Sequence, residues 1–250
     1  MINLIKTSYL PKGAVKHCLI GSKYIEEINE LKELDIECLT LNPNPLLEDE
    51  INNHADILSF NFGNGQVLLN NGSIGEAELK KIGIETVFYN SKISSPYPND
   101  IPLNVAFIGS QIICNRIFTA KEIIDFANRN NIEIINTKQG YSKCNLCVVN
   151  ENAIITEDKG LARLLKNYQF DVLLISSGYI YLSDSHYGFL GGASCKVSSD
   201  KMYFSGDLSS HRDYESIINF LDLYNVKPIY NKSRRLTDFG GIIQLTEKID

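Results

Sequence analysis

Asp35-Ile36-Glu37-Cys38-Leu39, Gly83-Ile84-Glu85-Thr86-Val87 and Asn131-Ile132-Glu133-Ile134-Ile135 follow one another at intervals of 48 residues. Each is a short run rich in β-branched residues, so each reads as a strand. Phe170-Asp171-Val172-Leu173-Leu174 and Asn225-Val226-Lys227-Pro228-Ile229 continue the series less regularly. Self-similarity at such a period marks an architecture built from repeated units.

Working outward, a helical pattern precedes every copy. Residues 24–34 carry Ile25, Ile28 and Leu31 on one stripe, and residues 76–82, 120–127, 161–168 and 214–223 supply the others. Ser73-x-x-Glu76 and Thr119-x-x-Glu122 read as capping boxes, and Asp158 is placed to favour the start of the fourth helix. Before each of the last four helices stand two apolar runs around a polar turn, the pattern of a hairpin. The clearest is Cys147-Val148-Val149-Asn150-Glu151-Asn152-Ala153-Ile154-Ile155.

The unit is therefore strand, strand, helix, strand. The first unit lacks one strand, since residues 15–20 supply only the one before its helix. The C-terminus has a spare, Phe239-Gly240-Gly241-Ile242-Ile243-Gln244-Leu245, with no helix after it. Pairing the spare strand with the incomplete unit closes five units into a ring and removes exposed sheet edges. The expected fold is α/β, a five-fold ring of ββαβ units in one domain over 1–250. Its units span roughly 14–46 with 239–245, then 54–92, 102–138, 145–178 and 194–231.

Composition sets the outer limits. The chain has 250 residues, 44% of them hydrophobic and 22% charged, with a net charge of −6. This is a globular composition that needs no disulfide or metal staple, and the acidic balance argues against a nucleic-acid partner. Residues 1–13 make a poor signal peptide, and no window approaches the length of a membrane span, so a cytoplasmic location is expected. Six cysteines are too dilute for a disulfide scaffold. Cys18, Cys38 and Cys114 sit in apolar strand contexts and read as core.

Four stretches carry a resemblance to a known superfamily: Gly140-Tyr-Ser-Lys-Cys-Asn-Leu-Cys-Val-Val149, Ile154-Ile-Thr-Glu-Asp-Lys-Gly160, Tyr187-Gly-Phe-Leu-Gly-Gly-Ala-Ser-Cys195 and Tyr203-Phe-Ser-Gly-Asp207. With the ring, they resemble the pentein, or guanidino-group-modifying enzyme, superfamily over nearly the whole chain, and most of all an uncharacterised bacterial domain family of that fold. The resemblance implies a site at the ring axis, where the segments joining successive units converge. It implies a Cys that attacks a guanidinium carbon, a His that moves protons, and acidic residues that hold the cation. Deiminases, dimethylarginine hydrolases and amidinotransferases belong there, and so do ring-shaped binding proteins without the chemistry, such as translation initiation factor 6. In the deiminases the nucleophile follows Gly-Gly-x-His near the C-terminus. Here Gly240-Gly241-Ile242-Ile243-Gln244 puts Ile243 and Gln244 at the His and Cys places. The same spacing recurs one unit earlier, ending on Cys195.

On the ring, segments 53–56, 94–100, 143–145, 184–195 and 237–241 converge. Cys195 is the candidate nucleophile, with Asp184 and His186 as the acid/base pair beside it. His54-Ala55-Asp56 resembles the His-x-Asp of the deiminases, and a carboxylate pairs bidentately with a planar guanidinium. His54, Asp56, Cys144, Asn145 and Asp238 form the candidate substrate-binding set, with Cys144 as the rival nucleophile. Cys144-x-x-Cys147 stands alone, without the further ligands of a structural zinc site, so no metal is expected. Neither Gly-Gly pair fits a phosphate-binding loop, so no cofactor is expected. Lys232-Ser233-Arg234-Arg235 reads as a solvated loop.

Two functions stay open. One is a Cys-dependent hydrolase or transferase acting on a guanidino, amidino or related C–N group of a small arginine-like molecule. The other is a non-catalytic ring that binds a small cation or a protein partner. The expected ligand is a small guanidino- or amine-bearing molecule, with no membrane partner and with a homodimer as a candidate assembly.

Overall fold

A computed structural model describes residues 2–249. It contains five small sheets. In the second unit Ser59–Asn61 pairs antiparallel with Gln66–Leu69, which pairs parallel with Glu85–Phe88 across the helix Glu76–Lys81. The third unit repeats this with Ala106–Ile108, Gln111–Cys114, Lys121–Arg129 and Glu133–Asn136. The fourth uses Cys147–Asn150, Ala153–Thr156, Lys159–Asn167 and Asp171–Leu174, and the fifth Ser194–Ser198, Lys201–Phe204, Tyr214–Leu223 and Lys227–Tyr230.

The C-terminal strand completes the first unit. Ile243–Lys248 lies antiparallel to Ala14–Gly21, with Ile243 opposite Leu19, and Ala14–Gly21 pairs parallel with Glu37–Leu41 beyond the helix Ile25–Glu33. A further strand that the sequence pattern does not announce, Ile2–Leu4, covers the outer edge of Ile243–Lys248. The leading strands of neighbouring units touch, Ile243–Lys248 against Ser59–Asn61 and Cys147–Asn150 against Ser194–Ser198, and Ser194–Ser198 also meets the middle strand of the first unit, Ala14–Gly21. Side chains bridge them: Asn61 donates to the Gln244 carbonyl at 2.7 Å and Gln244 donates to the Lys196 carbonyl at 3.1 Å.

The repeated segment has a single conformational cause. Asp35, Gly83, Asn131, Gln169 and Asn225 all have φ between 53° and 78° and directly follow the C-caps of the five repeated helices. The next residue sends its N–H five residues back: Ile36 to Leu31, Ile84 to Leu79, Ile132 to Ala127, Phe170 to Leu165 and Val226 to Leu221. This is a Schellman ending with its accompanying apolar contact, and it aims the chain from helix into parallel strand. A left-handed residue, an apolar residue and a strand start are what recur along the sequence.

Helix starts depart from expectation. The caps of the second-unit and third-unit helices are Gly75 and Ala120, and neither makes a side-chain cap. Ser73 and Thr119 instead donate their hydroxyls to the carbonyls of Asn70 and Asn115, closing the preceding turns. A hydroxyl so engaged tightens its own turn rather than capping the next helix. Asp158 does cap, accepting from the N–H groups of Gly160 and Leu161.

One apolar cluster joins Val15, Cys18 and Ile20 of the first unit to Cys195, Val197 and Tyr203 of the fifth, with Phe239 and Ile242 between them. Arg234 crosses this seam to Glu26 (2.9 Å), Glu27 and Glu30 (3.1 Å) of the first-unit helix. Among the described residues no helix is long and apolar enough to cross a membrane.

Candidate active site

The segments leading into successive units meet at the ring axis because each leading strand starts there. Glycines make the meeting possible. A Cβ on Gly192 would lie 2.0 Å from Asp238 Oδ1, and one on Gly240, at φ +73°, would lie 2.4 Å from His54 Cβ. Only glycine lets these backbones come so close.

The residues gathered there are buried. Cys144 donates its thiol to Asp56 Oδ2 at 3.1 Å and accepts from Asn104 Nδ2 at 3.0 Å. Asn104 Oδ1 in turn accepts from the backbone N–H groups of Lys143 and Cys144, at 2.9 and 3.3 Å, fixing the turn that carries the thiol. Across from it, His54 Nδ1 lies 3.7 Å from Asp238 Oδ1. Asp238 accepts from the N–H groups of Phe189 and Gly240 at 2.9 and 3.0 Å. Both ring nitrogens of His54 and Asp56 Oδ1 have no hydrogen-bond partner, although His54 and Asp56 are each only 1% exposed. Buried polar atoms left open in this way call for a ligand or water.

Charge at the site is strongly coupled. Burial, set against the nearby Lys143 and His54, pushes the Asp56 carboxyl up to about 6. Burial and then the charges of Asp56 and Asp238 push the Cys144 thiol well above its ordinary value. Tyr9 and Tyr24 are raised by burial and by Asp56 or Asp238. Lys143 donates to the Gly191 carbonyl at 2.9 Å and lies over the Tyr9 ring. A thiol in this field is protonated at rest, and a cation entering beside the two carboxylates stabilises the thiolate.

A cavity of about 260 Å³ leads to this cluster. His54, Cys144 and Asp238 line its floor, and Ile51, Ile57, Leu182 and Phe189 form apolar walls with Tyr141 and Tyr187. Glu48, Glu50 and His186 also line it.

The structure brings together His54, Asp56, Cys144 and Asp238 from the sequence-derived set. It places Cys195, Asp184 and Asn145 elsewhere and leaves His186 on the exposed part of the cavity lining, outside the buried cluster. Cys195 belongs to the apolar seam between first and fifth units, does not line the cavity, and has its thiol driven up by burial. His186 is at the surface, 3.1 Å from Glu50. Asp184 is exposed and accepts from Tyr181 at 3.2 Å. Asn145 spends its amide on the Tyr141 carbonyl, holding its own turn. Sequence reasoning missed Asn104, Tyr9, Tyr24, Lys143 and the two glutamates. Asn104 had a findable signal, since it precedes its leading strand much as Cys144 precedes Cys147–Asn150. His54, Asp56 and Cys144 also place one ligand atom each within 4.8 Å of one another, a donor set that suits a thiophilic cation.

A family model described as a family of unknown function (DUF6873) matches residues 19–243. The chain belongs to that family. No curated protein matches the chain in sequence. Among solved structures, this DUF6873 member is similar to the inosamine-phosphate amidinotransferase of Streptomyces griseus, at 8% identity and TM-score 0.57 over 99% of this chain and 98% of that one. It is similar to SxtG, an amidinotransferase of Microseira wollei in the saxitoxin pathway, at 11% identity and TM-score 0.55 over 90% and 91%. The agmatine deiminase of C. jejuni matches at 12% identity and TM-score 0.56 over 100% and 97%. The DUF6873 member thus has the pentein fold, a five-fold α/β ring closed by its C-terminal strand.

Proposed function

We propose that the axial cavity binds a guanidinium or amidinium cation and that Cys144 attacks its central carbon. The observation that carries this reading is the buried thiol held between Asp56 and Asn104, opposite a His54 whose ring nitrogens are free. Asp56 and Asp238 supply carboxylates for the cation, and the fold is that of amidinotransferases and deiminases.

The chemistry follows from the groups present. With the cation in place, Cys144 passes its proton to His54 and the sulfur adds to the carbon. The tetrahedral centre collapses by breaking one C–N bond, and His54 returns the proton to the departing nitrogen. This leaves an amidino carbon bonded to Cys144. Water or an acceptor amine then adds while His54 takes its proton. The C–S bond breaks and the proton returns to the sulfur. Water makes the protein a hydrolase and an amine makes it a transferase. No cofactor enters either sequence.

Alkylation by 2-chloroacetamidine tests the reading, because the reagent combines the planar cation with an electrophile. Cys144 should be labelled first among the six thiols, Cys144→Ser should abolish that label, and Asp56→Asn should slow it at least tenfold. Labelling of Cys195 in preference to Cys144, or equal labelling of all six, contradicts it. The second reading is a catalytically silent receptor for the same cation, favoured by Ile243 and Gln244 at the C-terminal His and Cys places. It expects stabilisation by a guanidinium ligand in Cys144→Ser and no turnover by the native chain.

A further inference from the structure

The floor of the cavity takes the reacting cation; its rim decides what the other end of the ligand can be. Glu48 and Glu50 line the same cavity and, unlike the buried His54, Cys144 and Asp238, reach solvent. Glu48 is exposed, and among the described residues its carboxylate has no hydrogen bond or ion pair. Glu50 is half-buried and faces His186. No lysine or arginine lines the cavity, and Lys143, the nearest buried cation to the floor, is turned to the Gly191 carbonyl. The walls between floor and rim are apolar, and the volume of about 260 Å³ suits a short chain.

A ligand ending in a carboxylate, as an amino acid does, would place a third negative charge against two glutamates, with only the His186 ring, already held by Glu50, to receive it. A ligand ending in an ammonium would face both. The second observation pointing to a ligand here is the pair of open ring nitrogens on His54, which is buried and lines the same cavity.

We infer that the site selects a short guanidinoalkylamine without a carboxylate, its guanidinium at Asp56 and Asp238 and its terminal ammonium at Glu48 and Glu50. This inference rests on the reading of the floor as a guanidinium site. Discrimination comes from attraction at one terminus and from repulsion of the carboxylate alternative at the same place. Because the rim is exposed, the preference weakens as salt rises.

Calorimetric titration of the Cys144→Ser protein with four probes tests it: agmatine, butylguanidine, 4-guanidinobutyrate and arginine. Agmatine should bind at least tenfold more tightly than butylguanidine, and 4-guanidinobutyrate more weakly than both. Glu48→Gln should reduce the agmatine-to-butylguanidine preference several-fold, and Glu50→Gln provides an independent variant in case one rearranges the rim. Raising salt from 50 to 500 mM should narrow the preference in the native-rim protein. If butylguanidine or arginine binds as well as agmatine, the inference is overturned while the floor assignment stands. If none of the four binds, the floor assignment is overturned and the inference with it.

Discussion

Asp56 shows how one side chain ties function to stability. Its carboxyl titrates near 6 in the folded protein because burial disfavours the charge. An unfolded aspartate titrates near roughly 4, so the folded state holds the proton more tightly. The cost to folding is full above about pH 6 and disappears as the pH falls toward 4. Asp56→Asn should therefore stabilise the protein at pH 7 by about 2–3 kcal/mol, and this gain should vanish near pH 4 in paired urea titrations. Cation binding should move the other way in the native chain, weakening as pH falls through about 6. A gain in stability that is the same at pH 4 and pH 7 would contradict this account. Cys195 illustrates the opposite case. Its Gly-Gly-x-x-Cys spacing looks like a nucleophile's, yet its side chain points into apolar packing between units.

At the scale of elements, the helix endings carry the repeat. Four of the five left-handed positions hold a residue other than glycine: Asp35, Asn131, Gln169 and Asn225. Gln169 is the least suited of them, having no short polar side chain to bond its own backbone. Gln169→Gly should stabilise the fourth unit by about 0.5–1 kcal/mol. Gly83→Ala should cost about 1 kcal/mol through backbone conformation alone, since an added Cβ there meets nothing within 4 Å. Chemical denaturation of the two variants checks both signs, and a stabilising Gly83→Ala would refute the conformational explanation. The capping boxes misled because a Ser or Thr ahead of a helix has two uses. In both cases the turn out of the preceding strand claimed the hydroxyl.

For the whole molecule, closure is the decisive feature, and its seam is held by ions as well as by apolar packing. Glu27 is 4% exposed and lies beneath Arg234, with Ser205 also donating to it at 2.7 Å. Removing the guanidinium leaves that carboxylate buried without its cation. Arg234→Ala should cost about 3–5 kcal/mol, whereas Arg234→Met combined with Glu27→Leu should recover much of it. Thermal and urea unfolding of the single and double variants would show this. A double variant no more stable than Arg234→Ala would argue that the seam depends on the ion network itself. The loss should be cooperative across all five units, because the first and fifth share one apolar cluster.

The periodic segments, the strand missing from the first unit and the spare strand at the C-terminus were sufficient to specify a closed five-fold ring. Those features are local, set by helix endings and by alternating burial, and a chain displays them residue by residue. The site was legible only in part. His54, Asp56, Cys144 and Asp238 could be named as polar residues in connecting segments, but connecting segments also contain Asp184, His186 and Asn145. Which of them share one buried volume depends on where separate backbones come within contact distance, and that is decided by close approaches such as Gly192 to Asp238 and Gly240 to His54. Burial and mutual charge then set the protonation of Cys144 and Asp56, and neither quantity exists until the ring has closed.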